Sequence, residues 1–113
     1  MPLLRITTNI SLDDQAAQAL CSLASRHVSG MLGKPESYVM VSVQHTAMSF
    51  AAEPSPCALL ELKSLGLPAQ QTAAFSESLC DLMSREAGIP AERIYIEFSS
   101  PDRHMWGWDK RTF

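Results

Sequence analysis

The stretch Leu32-Gly33-Lys34-Pro35-Glu36-Ser37-Tyr38-Val39-Met40-Val41-Ser42-Val43 decides the fold, because its pattern occurs twice. Ala87-Gly88-Ile89-Pro90-Ala91-Glu92-Arg93-Ile94-Tyr95-Ile96-Glu97-Phe98 repeats it 55 positions later. In each copy a glycine stops a helix and a proline two residues on confirms the stop. A β-branched or aromatic run then reads as a strand, over 38–43 in the first copy and 93–98 in the second. Val39, Val41 and Val43 map onto Ile94, Ile96 and Phe98.

Upstream of each copy lie a helix and another strand. Leu3 to Thr8 reads as a strand. Ser11 is placed to cap a helix, and Asp13 and Asp14 suit its positive end. Leu12, Ala16, Leu20, Leu23, His27 and Met31 recur near helical spacing up to Leu32. In the second half, Cys57 to Leu62 reads as a strand and Pro68 opens a helix in its first turn. Phe75, Leu79, Leu82 and Met83 give that helix its apolar face. Pro2 itself maps onto Cys57.

The expected fold is therefore α+β. Two tandem β-α-β units, the pseudo-repeat 1–50 and 57–100, form one domain over residues 1–113. The right-handed crossover rule pairs the two strands of each unit in parallel or nearly adjacent. The result is a four-stranded sheet with both helices on one face. The other face is left bare, and further copies of the chain are the simplest cover for it. The segment 101–113 carries both tryptophans, Trp106 and Trp108, and ends on Phe113. It is expected to be tied down as short edge strands, on a neighbouring subunit.

Composition excludes several function classes. The net charge is −3 with no basic run, which leaves no nucleic-acid footprint. No stretch approaches the roughly 20 apolar residues of a membrane span. Without a signal-peptide pattern the expected address is the cytoplasm, and any extracellular role would need non-classical secretion. Only 19% of residues are charged, which suits an oligomer that hides part of its surface. Cys21, Cys57 and Cys80 have no metal-like spacing and are expected to be reduced, buried thiols. His27, His45 and His104 converge on no motif, so no metal site is expected.

Chemistry concentrates at the N-terminus. Proline at position 2 permits removal of Met1, which leaves a free secondary amine on a stiff ring. If Met1 stays attached, that nitrogen is an amide and cannot act as a base. A strand start buried at one end would put the amine in a pocket.

Several strings together resemble the macrophage migration inhibitory factor family of the tautomerase superfamily. They are Met1-Pro2, Gly33-Lys34-Pro35 ahead of Tyr38, Pro56-Cys57-Ala58-Leu59, Ser64-Leu65-Gly66, Arg93-Ile94-Tyr95-Ile96, and Gly107-Trp108 ahead of Thr112-Phe113. No single string is specific, but their order along the whole chain is. The resemblance implies a homotrimer with active sites between subunits. It implies a cofactor-free keto–enol tautomerase acting on small aromatic 2-keto acids such as phenylpyruvate, or on dopachrome-like compounds.

By this resemblance Pro2 is the catalytic base and Lys34 the cation that lowers its pKa and holds a substrate carboxylate. An α-amino group starts at about 8; burial and a nearby cation both disfavour its charged form. The Leu65 backbone would contact the carboxylate. Tyr95, from a neighbouring subunit, would line the pocket. Trp106, Trp108 and Phe113 would form an apolar wall. The alternative role, also from the resemblance, is a cytokine-like ligand for the receptor built around the class II invariant chain.

The chain departs from the animal pattern in two places that matter. Leu60 stands where a second cysteine would complete Cys-x-x-Cys with Cys57, so dithiol exchange is not expected. Glu97 replaces an asparagine at the pocket rim. Its carboxylate is expected to repel an anionic substrate and to favour protonated Pro2, with Arg5 or Arg103 as possible neutralisers. Leu65 in place of isoleucine is a mild change where the contact is through the backbone, and Lys63 replaces a histidine near the pocket mouth; the reaction type is expected to survive and the preferred substrate to shift.

Overall fold

The computed structural model describes residues 1–113. β1 (Leu3–Thr8) leads to α1 (Asp14–Leu32) and β2 (Met40–His45); β3 (Ala58–Lys63) leads to α2 (Thr72–Ala87) and β4 (Ile94–Ser99). The strand order is β2-β1-β3-β4. β1 runs parallel to β2 and β3 parallel to β4, while β1 and β3 meet antiparallel at the centre. The sheet is thus mixed, with each parallel pair spanned by its own helix.

The 55-residue period survives in the details. Gly33 and Gly88 both take left-handed backbone, at φ 65° and 68°, where a β-carbon would be strained. Ser29 Oγ donates to the Lys34 carbonyl at 2.6 Å, and Ser84 Oγ donates to the Ile89 carbonyl at 2.7 Å. After each proline the chain makes a short 3-10 turn, Glu36–Tyr38 and Ala91–Arg93, before entering the strand. Tyr38 and Arg93 therefore precede their strands rather than start them.

Two helix starts differ from the sequence expectation. Asp13, not Ser11, caps α1: its carboxylate accepts from the Ala16 N–H at 2.7 Å. Ser11 lies too far upstream to reach the first free amides of a helix that begins at Asp14. Pro68 precedes a 3-10 turn, Ala69–Gln71, and α2 begins only at Thr72. The deepest residues of α1 are Leu20, Ala24 and Val28. Leu23, His27 and Met31 are only half-buried, and Ala16 is exposed. The buried stripe is thus rotated from the expected one.

One sheet face carries the core. Leu4 and Ile6 of β1 with Ala58, Leu60 and Leu62 of β3 pack under Leu20, Ala24 and Val28 of α1 and Leu79, Leu82 and Met83 of α2. Each fully buried leucine contributes about 1.5–3 kcal/mol through removal from water. The other face is bare. Register places Met40, Leu3, Lys63 and Ser99 in one row across it, Ser42, Arg5, Glu61 and Glu97 in the next, and Gln44, Thr7, Leu59 and Tyr95 in the third.

The C-terminal segment folds on itself. A 3-10 turn, Arg103–Met105, precedes an antiparallel ribbon of β5 (Gly107–Trp108) and β6 (Arg111–Thr112). Asp109 and Lys110 between them both have positive φ, 50° and 68°, as a tight two-residue hairpin turn requires. These short strands pair with each other within the chain. Cys57 is buried, while Cys21 and Cys80 are only half-buried, and all three are free thiols.

Candidate active site

Pro2 lies where three elements meet. Its ring is fully buried, and its carbonyl accepts from the Met40 N–H at 3.0 Å, which extends the β1–β2 pairing by one residue. A cavity of about 550 Å³ opens beside it, lined among others by Met1, Pro2, Tyr38, Lys63, Trp106 and Phe113. The C-terminal ribbon supplies the far wall. Trp108 and Phe113 stack there with centroids 6.0 Å apart and planes 8° from parallel. Lys63 Nζ sits 5.8 Å from the centroid of a Trp106 ring. Both tryptophans and the terminal phenylalanine thus belong to one wall.

A second space adjoins the first, and Met1, Tyr38 and Phe113 line both. Its other walls are Lys34, Leu65, Gly66 and Arg103. Lys34 Nζ donates to the Leu65 carbonyl oxygen at 2.8 Å. That contact reaches from the end of α1 to the turn after β3 and fixes the ammonium. The Leu65 carbonyl is an acceptor, so only the Leu65 N–H can meet an anion.

The electrostatics converge on the chain's amino end. The Met1 α-amino group is pushed below its ordinary range, most by burial, then by the charge of Lys34, by a hydrogen bond that the Lys34 ammonium donates to it, and by the charge of Arg103. Lys34, Lys63 and Arg103 line the two spaces, and no aspartate or glutamate does. Three cations and an aromatic wall thus surround the chain's amino end.

Of the residues expected at the site, Pro2, Lys34, Leu65, Trp106, Trp108 and Phe113 line these two spaces. Tyr95 and Glu97 do not. Tyr95 is 67% exposed on the bare sheet face, its ring 4.7 Å from that of Phe50. Glu97 shares a shallow space on that face with Arg5, Glu61 and Lys63. The two possible neutralisers of Glu97 therefore separate: Arg5 lies on its side and Arg103 on the side of Met1.

Sequence reading did not single out Tyr38 or Met105 as lining residues. Tyr38 was absorbed into a strand pattern, and only the 3-10 turn turns it toward the cavity. Met105 is a single apolar residue in a segment with no period. Lys63, noted only as a substitution, lines the cavity directly.

Comparison with known proteins agrees along the whole chain. The family described as macrophage migration inhibitory factor (MIF) matches residues 1–113. A macrophage migration inhibitory factor homolog of Brugia malayi is 36% identical over 115 residues, spanning 100% of this chain and 99% of that protein. The macrophage migration inhibitory factor of Xenopus tropicalis is 31% identical with the same coverage. Among solved structures, the homologue from Prochlorococcus marinus superposes with a TM-score of 0.91 at 36% identity, covering 98% of each chain.

Proposed function

The chain belongs to the macrophage migration inhibitory factor family, within the tautomerase superfamily, and from that premise we propose that it is a cofactor-free keto–enol tautomerase. Its substrates are small aromatic 2-keto acids of the phenylpyruvate type. The acting form has lost Met1, so Pro2 carries the free amine. Met1 lines both spaces, so its removal clears room beside the Pro2 nitrogen.

The reaction follows from proton bookkeeping. The neutral Pro2 amine takes a proton from the carbon beside the carbonyl. The C–H electron pair becomes the new C=C bond, and the carbonyl π pair moves to the oxygen. The oxygen takes a proton from water, giving the enol, and in the reverse path the protonated Pro2 amine returns its proton to carbon. Lys34, and the Leu65 N–H, hold the carboxylate. Trp106, Trp108 and Phe113 receive the ring. A base works best when its pKa lies near the operating pH.

The observation that carries this reading is the place of Pro2, buried at the edge of a cavity walled by Trp106, Trp108 and Phe113 and adjoining the space lined by Lys34 and Leu65. The same reading makes the assembly a homotrimer, as the family resemblance implies, with Tyr95 and Glu97 lining a neighbour's Pro2 cavity. The test is the steady-state enol–keto conversion of phenylpyruvate by Met1-free protein alongside Pro2→Gly. Turnover lost in the variant, with the fold retained by circular dichroism, supports the proline base. Equal turnover in the two refutes it.

A further inference from the structure

Arg103 is the cation at this site that the chain's own contacts leave uncommitted. The two ion pairs of the chain are Arg5–Glu61 and Arg85–Glu86, and Arg103 belongs to neither. Lys34, by contrast, already spends one of its three N–H donors on the Leu65 carbonyl. Lys63 lies against the face of Trp106. Arg103 opens the 3-10 turn Arg103–Met105, which joins β4 to the aromatic wall, and it lines the same space as Met1, Lys34 and Leu65. That space has a volume of about 590 Å³ and no acidic lining residue. Arg103 is exposed, with its guanidinium free to meet a ligand in that space, and its charge reaches the chain's amino end together with that of Lys34.

From this juxtaposition we infer that Arg103 is a specificity-determining residue, a second carboxylate clamp opposite Lys34 that selects 2-keto acids over their neutral counterparts. The inference rests on the tautomerase reading for its substrate and extends it. A planar guanidinium can grip a carboxylate with two parallel N–H donors, which an ammonium cannot do. With Arg103 on the carboxylate and Lys34 fixed to Leu65, the acid end of the substrate is held from two sides. The carbon beside the carbonyl is then left facing Pro2 and the ring the aromatic wall. This also bears on Glu97. A carboxylate on the far sheet face is opposed by two cations next to the amine rather than one.

The experiment compares phenylpyruvate with its methyl ester in Met1-free wild type, Arg103→Ala and Arg103→Lys. Thermal melting of each variant guards against misfolding, and an exposed turn residue should leave it unchanged. The expected result is a fall of about tenfold in the acid-to-ester ratio of kcat/KM in Arg103→Ala, the lower end of what a charged hydrogen bond contributes. Arg103→Lys should restore part of that ratio, because it keeps the charge and loses the fork. An unchanged ratio in Arg103→Ala overturns the inference.

Calorimetric binding of phenylacetate, against phenylacetamide, reads the same preference with no turnover. Wild type should prefer the acid, and Arg103→Ala should lose that preference. No preference in wild type, or one that survives in the variant, overturns the role of Arg103. If wild type turns over neither ester nor acid, the tautomerase reading fails, and the calorimetry alone decides for or against Arg103.

Discussion

Lys34 Nζ donates to the carbonyl oxygen of Leu65 at 2.8 Å, and through that bond the two halves of the repeat share one site. Lys34 follows the helix stop of the first unit, and Leu65 follows β3 of the second. The bond holds a positive charge beside the amino end, where burial already disfavours protonation.

Removing that charge should move the pH profile. The base works in its neutral form, so kcat/KM rises with pH through the amine's pKa. A cation beside the freed Pro2 amine disfavours its protonated form, so Lys34→Ala should shift the rising limb to higher pH. KM for an anionic keto acid should rise as well, by about tenfold for a lost charged hydrogen bond. Profiles of kcat/KM for wild type and variant check both. A limb that stays in place would show that Lys34 binds without tuning the base.

Glu97 offers a test of assembly. It lies on the bare sheet face with Arg5 and Glu61, away from its own chain's Pro2 cavity. If a second copy brings it to a neighbour's cavity, Glu97→Asn should raise kcat/KM for phenylpyruvate severalfold, the size expected of a partly screened like-charge contact. The mass in solution, read by light scattering on the same samples, should be that of a trimer. A monomer, or an unchanged rate, would place Glu97 outside the catalytic unit.

His27 ties the helices together and should give stability a pH dependence. Its Nε2 lies 2.7 Å from Ser78 Oγ, bridging α1 and α2. Its pKa is lowered, by burial first and the charge of Arg85 second. The unfolded chain therefore takes up this proton before the folded one does. The stability it contributes is fully present above the ordinary value of 6.5 and is lost as pH falls through the lower folded value. Melting at pH about 7.5 and about 5.5, on either side of the ordinary histidine value, should show a drop that His27→Gln reduces. An equal drop in the variant would assign the effect to other groups.

Arg93 clamps the loop that connects the units. Its guanidinium donates to the carbonyls of Pro56, Phe50, Glu53 and Ser55 at 2.9 to 3.2 Å. The same loop holds Ala51 and Ala52 at φ 54° and 61°, a conformation alanine adopts at a cost. Arg93→Ala should destabilise the fold by about 1–3 kcal/mol, and Arg93→Lys should recover little because a point charge cannot serve four acceptors. Thermal unfolding of the three proteins decides it. A melting temperature unchanged in Arg93→Ala would mean that the loop holds itself.

Much of this architecture was legible in the chain. The paired Gly-x-Pro stops mark the repeat, and the run Leu3 to Thr8 reads as the strand that forms β1. The helix starts were less legible. Ser11 and Asp13 are both good caps by type, and only the position of the first free amides chooses between them. The buried stripe of α1 is rotated from the apolar spacing because Leu23 and His27 are only half-buried, His27 bonding across to Ser78 of α2, while small Ala24 lies fully buried with Val28. At the site, Pro2, Lys34 and the aromatic wall followed from family order. Tyr38 and Arg103 did not, since their place depends on 3-10 turns that carry no apolar period.

The central claim is that the Pro2 nitrogen is the base, and it is tested most directly by presence or absence of one residue. The same chain is prepared with Met1 retained and with Met1 removed, each confirmed by intact mass. Phenylpyruvate enol–keto conversion is then measured side by side. Turnover is expected in the Met1-free protein alone, because an amide nitrogen cannot accept the proton. Equal turnover in both would contradict it and move the base to another residue of the cavity.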